Sequence, residues 1–153
     1  MKQRSLFDII SPVMTGPSSS HTAGAVRLGL MARNIYKNKP DKIIFKLYNS
    51  FAETGFGHGS DKGLLAGFLG CNVDSDKIKN IFDCKEAKSL NYTYEFEQNI
   101  DRHPNSVDFI INGSSNMLIS GNSVGAGNIE IIKIDDFDIN LTGEFNSLVM
   151  FYK

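Results

Sequence analysis

Apolar residues in the first half of the chain recur at helical spacing, and those in the second half alternate. Ala25, Leu28, Ala32 and Ile35 share one face, with Met31 beside them. This predicts a helix that follows the polar stretch 15–22 and runs to about Tyr36, where Asn38 and Pro40 end it. Lys42 to Tyr48, rich in Ile, Phe and Leu, reads as a strand. Asn49-Ser50 then opens a second loop through Gly55, Gly57, His58 and Gly59 to Ser60-Asp61. Leu64, Leu65, Phe68 and Leu69 give the next helix its buried stripe, and Gly70 suits its C-terminal end. Ser75 or Asp76 caps a third helix through Ile78, Ile81 and Phe82 to about Ser89. Near the start, Ser5-Leu6-Phe7-Asp8 reads as a capping box for a short helix through Ile10, stopped by Ser11-Pro12.

Past residue 90 the period is two. Tyr92, Tyr94 and Phe96 alternate with Thr93, Glu95 and Glu97. Val107 to Ile111 runs into Asn112-Gly113, a hairpin-type turn, and Met117 to Ser120 is the return strand. Ser123-Val124-Gly125-Ala126-Gly127 interrupts it. Ile129 to Ile134 makes another strand, Asp135-Asp136 a turn, and Phe137, Ile139 and Leu141 alternate again. This order predicts an α+β protein: a two-layer sandwich of a mixed, mostly antiparallel sheet with helices packed on one face. Residues 147–153 are apolar and β-like, as if opening a further strand.

A chain of 153 residues, 41% hydrophobic and 22% charged, is one ordinary domain with a real core. A net charge of -1 gives no electrostatic case for nucleic acid or an anionic membrane. No run of about 18 apolar residues spans a bilayer. The N-terminal apolar stretch, broken by Asp8, is too short for a signal peptide. Cys71 and Cys84 are too few and too far apart for a self-contained metal site, and read as reduced thiols of a cytoplasmic protein. The 14 glycines cluster beside His, Ser and Asp in four short stretches, and these hold the candidate chemistry.

In the first stretch, Ser18, Ser19, Ser20, His21 and Thr22 precede a helix. Free backbone N–H groups and the positive dipole end there suit a carboxylate or phosphate, and the serine hydroxyls add donors. The same dipole disfavours an imidazolium, so His21 is expected neutral and able to accept a proton. The second stretch, Gly55-Phe56-Gly57-His58-Gly59-Ser60-Asp61, repeats the device: a His flanked by small residues before a helix. Asp61 either fixes the tautomer of His58 or caps the helix. The third, Arg102-His103-Pro104-Asn105, reads on its own as a turn with an extended His before Pro. The fourth, 121–127, lacks the G-x-G-x-x-G spacing of a dinucleotide loop and fits a bulge or close backbone approach. Gly-x-Ser-x-Gly is absent, and a Ser20–His58 hydrolase pair is disfavoured because serines on a capping loop are usually structural.

Gly16-Pro17-Ser18-Ser19-Ser20-His21-Thr22, Thr54-Gly55-Phe56-Gly57-His58-Gly59-Ser60-Asp61, His103-Pro104-Asn105 and Ser123-Val124-Gly125-Ala126-Gly127, in that order, resemble the beta subunit or domain of the iron–sulfur-dependent L-serine dehydratases (L-serine ammonia-lyases). The likeness runs from about Leu6 to Phe145. Three departures stand out: Ser60 for the usual Thr, Ala126 for a usual Gly, and Asn49 where Gly is usual, which argues against a left-handed backbone at 49. The resemblance implies deamination of L-serine to pyruvate and ammonia, a gluconeogenic step, by a complex inactive without both parts. A [4Fe–4S] cluster would be bound by cysteines of the alpha subunit, with no metal or cofactor bound by this chain. It further implies kinship with the allosteric substrate-binding domain of some phosphoglycerate dehydrogenases.

On that resemblance His21 and His58 are the catalytic pair. Ser18, Ser19, Ser20, Thr22, Asp61, His103 and Asn105 bind substrate, the hydroxyls of the first loop taking its carboxylate. The beta domain would cover 1–146, with 147–153 starting an ACT domain that this chain lacks. The expected partners are the alpha subunit and L-serine, and a homodimer of the domain is a further expected assembly. The rival reading is a regulatory module that binds serine or a small anion without chemistry.

Overall fold

The computed structural model describes residues 13–145 and 147–150. The short helix expected at 5–10 lies outside them. After one turn of π-helix at Ser19–Ala23 come α1 (Gly24–Tyr36), β1 (Pro40–Tyr48), α2 (Asn49–His58) and α3 (Ser60–Phe68). A 3-10 segment at Asp76–Asp83 and a single turn, α4 (Lys85–Lys88), lead to the strands β2 (Tyr92–Glu97), β3 (Ser106–Gly113), β4 (Met117–Gly125), β5 (Asn128–Ile134) and β6 (Phe137–Leu141).

The six strands form one sheet in the order β2-β1-β3-β4-β5-β6. β1 pairs with β2 in parallel, and every other pairing is antiparallel. This is the expected α+β sandwich. Alternate residues of the central strands, Ile43, Phe45, Leu47, Val107, Phe109, Ile111, Ile119 and Ile131, are completely buried. They meet Leu28 of α1 and Leu64, Leu65 and Phe68 of α3 in one core; Phe45 touches the rings of Phe68, Tyr94 and Phe109.

Several local expectations change. Residues 49–58 are a helix, not a loop: Phe51 is fully buried, Thr54 Oγ1 donates to the Ser50 carbonyl at 2.7 Å, and Gly59, at φ 74°, closes the helix by donating to the Gly55 carbonyl. Packing against β1 and β2 thus overrides the poor helix propensity of Gly55 and Gly57. The single helix expected to Ser89 breaks at Cys84, whose extended backbone ends the 3-10 segment and whose Sγ accepts the Ala87 N–H of α4. Asn112 and Gly113 stay in β3, paired with Lys42 and Pro40, so the turn is made by 114–116. Ser123 does not interrupt its strand; it is a fully buried member of β4 paired with Ile129, and the reversal falls at 125–127. The backbone at Asn49 is left-handed after all, with φ 51°. Residues 147–150 belong to no strand, although Val149 packs against the core. No helix among the described residues is long and apolar enough to cross a membrane.

Candidate active site

Ser18, in extended conformation, caps the π turn: its Oγ accepts the His21 N–H at 3.0 Å and lies 3.2 Å from His21 Nδ1. The other ring nitrogen, Nε2, is 3.2 Å from Ser50 Oγ at the start of α2. The arrangement that uses each group once has Ser18 donating its hydroxyl proton to Nδ1 and Nε2–H donating to Ser50. The ring also rests on Phe51, 5.5 Å away.

His58 is the last residue of α2, not a loop residue ahead of a helix as its surroundings in the sequence suggested. Its carbonyl accepts the Thr22 hydroxyl at 2.8 Å, which ties the second stretch to the first. Its imidazole stands edge-on to that of His21, centroids 5.3 Å apart at 81°. The two rings differ in setting. His21 is half-buried, and burial first, then the neighbouring His58, lowers its pKa below the ordinary 6.5, so it is the neutral member. His58 is exposed, and its ring makes no hydrogen bond among the described residues.

The other two stretches join the same corner. The Phe51 N–H donates to the Pro104 carbonyl at 3.2 Å, and His103 Nδ1 accepts the Asn105 N–H at 3.1 Å. Asn105 Oδ1 is buried with no partner among the described residues, an open polar position beside the site. Ser123 pins two loops at once: its Oγ donates to the Ser20 carbonyl and its N–H to the Asn105 carbonyl, both at 2.9 Å. Asp61 is buried and holds the first turn of α3, accepting the Lys62 N–H at 2.7 Å, while its carbonyl accepts Tyr94 Oη–H at 2.8 Å. Burial raises its carboxyl pKa above the usual 3.8. Asp61 takes neither of its two expected roles: α3 starts after Gly59 without a side-chain cap, the Asp61 carboxylate accepts only the adjacent N–H, and it makes no hydrogen bond to His58 among the described residues. The Thr22 hydroxyl is likewise committed to the protein, whereas Ser19 and Ser20 keep half-exposed side chains without a partner among the described residues.

A cleft of about 220 Å³ is lined by Gly16, Pro17, Thr22, Gly57, Gly59 and Lys62 among others; neither imidazole is part of its lining. Lys79 is paired with Asp76; the Lys62 ammonium donates only to a backbone carbonyl, that of Lys79, and has no carboxylate partner among the described residues. Sequence reasoning missed Ser50, Ser123 and Lys62 as site residues, because each acts through contacts distant in sequence.

Among the described residues no three His, Cys, Asp or Glu side chains gather to hold a metal ion. The two cysteines are free and the Cys84 sulfur serves as a helix cap, so this chain's own thiols do not fit a four-iron cluster.

The sequence matches the family model described as "Serine dehydratase beta chain" over residues 5–132. It is 40% identical over 151 residues to the "Probable L-serine dehydratase, beta chain" of Bacillus subtilis (strain 168), covering 98% of this chain and 69% of that one. It is 38% identical over 156 residues to the "L-serine dehydratase, beta chain" of Peptoniphilus asaccharolyticus, covering 99% and 70%. The match to "L-serine dehydratase 2" of Escherichia coli (strain K12), 36% identical over 83 residues, takes in 50% of this chain but 18% of the longer relative. With the family model covering most of its length and the four ordered stretches meeting at one corner, the chain belongs to the serine dehydratase beta-chain family.

Proposed function

We propose that this chain is the beta subunit of an L-serine dehydratase, which converts L-serine to pyruvate and ammonia together with an alpha subunit that carries the iron–sulfur cluster. Water is lost across Cα–Cβ of serine, and the resulting enamine takes up water as ammonia departs. The chemistry needs a group to remove the α-proton and a pocket for the carboxylate. The observation that carries the reading is the pair of imidazoles 5.3 Å apart, one held neutral and bonded at both nitrogens, the other open.

In this reading His58 exchanges a proton with the substrate, because its ring nitrogens are the ones free to reach it. His21 keeps His58 company as a neutral neighbour, so the pair does not accumulate two charges. Lys62, which lines the neighbouring cleft, and the Ser19 and Ser20 hydroxyls are the donors offered to the carboxylate. Cluster chemistry, which would assist departure of the serine hydroxyl, belongs to the partner polypeptide.

The test is reconstitution of the purified chain with its alpha partner under anaerobic conditions, following pyruvate. His58→Ala is expected to lower turnover by about 100-fold or more, the usual worth of a positioned acid–base group. Full turnover in both His58→Ala and His21→Ala would sink the assignment. The second reading, a serine-binding regulatory module, is favoured by the cleft, which this chain forms alone. Calorimetry separates the two: tight serine binding by the isolated chain, with His58→Ala leaving reconstituted turnover intact, supports the module.

A further inference from the structure

Asn49 sits where β1 turns into α2, with the left-handed φ of 51° that Asn tolerates better than most side chains. Its carboxamide is spent on one neighbouring segment. Oδ1 accepts the Asn99 N–H at 2.8 Å, and Nδ2 donates to the carbonyls of Asn99 at 2.8 Å and Arg102 at 3.1 Å, with that of His103 at 3.5 Å. The far side of that segment is fixed as well. The Arg102 guanidinium pairs with the buried Asp108, donates to Ser106 Oγ at 3.1 Å, and lies 4.3 Å from the centre of the Tyr48 ring, whose hydroxyl donates to Asp108 at 2.8 Å. On its own side, Asn49 is followed at once by Ser50, which meets His21 Nε2, and by Phe51, which donates to Pro104.

We propose that Asn49 is a positioning residue for His21: its carboxamide locks the start of α2 against the 99–103 segment, and so fixes the Ser50 hydroxyl on His21 Nε2. Two features support this over a purely local turn. The carboxamide reaches across about fifty residues of sequence rather than to its own turn, and the residue it immobilises next holds one of the two nitrogens of the neutral histidine. The proposal deepens the proposed function, since it concerns the same site, but its primary readout needs no enzyme assay.

That readout is the tautomer of His21, followed by nitrogen-15 NMR of the full chain with labelled histidine. Asn49→Gly keeps the left-handed backbone and removes the carboxamide; Ser50→Ala removes the contact directly and serves as the reference. In Asn49→Gly the single Nε2–H tautomer of His21 should give way to a mixture, as in Ser50→Ala. Reconstituted turnover should fall about tenfold with KM little changed, the signature of a misplaced rather than a missing group. If Asn49→Gly does not fold, Asn49→Asp, which keeps the acceptor for Asn99 and loses the donors, is read in the same way. His21 signals identical to wild type in the folded variant, while Ser50→Ala moves them, overturn the proposal. Altered His21 signals with full pyruvate production uphold it and count instead against the working role given to the histidine pair.

Discussion

The seam between α1 and α3 and the corner that holds His21 and His58 are both rich in glycine, and they use it in opposite ways. Along the seam the residue is small so that backbones can touch. A Cβ on Gly67 would overlap the Val26 carbonyl, and one on Gly29 the Leu64 carbonyl. At the corner Gly57 has space to spare, since a Cβ there meets nothing within 4 Å, although one on Gly16 would run into the Thr22 side chain. The seam is therefore a packed support, and the corner an open surface kept free of side chains around an exposed imidazole. The contrast makes different demands on each region: substitution in the seam costs stability, whereas substitution at the corner alters what can enter.

The largest effect expected from this comparison is in the seam. Gly67→Ala must push α3 away from α1 or displace both, because the obstacle is main chain on a buried helix rather than the end of a flexible side chain. Overpacking of this kind costs about 3 kcal/mol, visible as a lower urea midpoint at unchanged slope. Wild-type stability in Gly67→Ala would show that the helices have slack and that the distinction between the regions is false.

A smaller effect, of opposite sign, is expected at the edge of the corner. Ala126 holds φ 51°, and Gly125, its neighbour in the turn, has open space around it. An L side chain in the left-handed region is strained, while glycine there gives back part of the gain through its freer unfolded chain. Ala126→Gly is expected to stabilise the fold by about 0.5–1 kcal/mol, read as a raised melting temperature. The family resemblance marked Ala126 as a departure from a usual Gly, and its φ gives that departure a backbone consequence.

The regions also differ in how pH reaches them. The seam is apolar, whereas the corner contains a half-buried histidine whose pKa lies below 6.5. When pH falls below that value the unfolded chain takes up a proton that folded His21 refuses, so stability declines until the folded pKa is reached and then levels off. Above 6.5 the contribution is fully present. Asp61 runs the other way: its raised pKa makes stability fall as pH climbs from 3.8 to the folded value. Urea midpoints measured between about pH 5 and 7.5 should rise with pH in the wild type and flatten in His21→Gln. An unchanged slope in that variant would mean that His21 is not the group responsible.

The sequence made some of this legible and hid the rest for physical reasons. α1, β1 and the alternating strands show in their periodicity because each has one buried face. α2 did not, since Gly55 and Gly57 argue against a helix locally and only the burial of Phe51 and the Gly59 cap make one. The parallel pairing of β1 with β2 was equally hidden, as alternation marks a half-buried strand without giving its direction. At the site, the recurrence of a His among small residues pointed to a shared location, and the rings do meet. Ser50, Asn49 and Ser123 were not read as site residues because hydroxyls and amides are common in turns and their partners lie far along the chain. The one available signal was Asn49 itself: an Asn in place of a usual Gly marks a left-handed position filled by a side chain that can also bond.

The smallest stability change, and the sharpest probe of the corner, belongs to Gly57→Ala. Gly57 is exposed, sits within α2 one residue before His58, and lines the cleft. A methyl group there meets no atom, and alanine is the better helix former by about 1 kcal/mol, so the fold should be unharmed or slightly more stable. The cleft should nonetheless narrow where Gly57 lines it. If a small amino acid binds there, KM for serine in the reconstituted enzyme should rise several-fold while kcat changes little, because the reacting groups stay where they were. A parallel fall in stability would mean that Gly57 is packed like the seam glycines. Kinetics identical to wild type would move the substrate elsewhere, leaving His58 with an empty neighbour and the open glycines without a use.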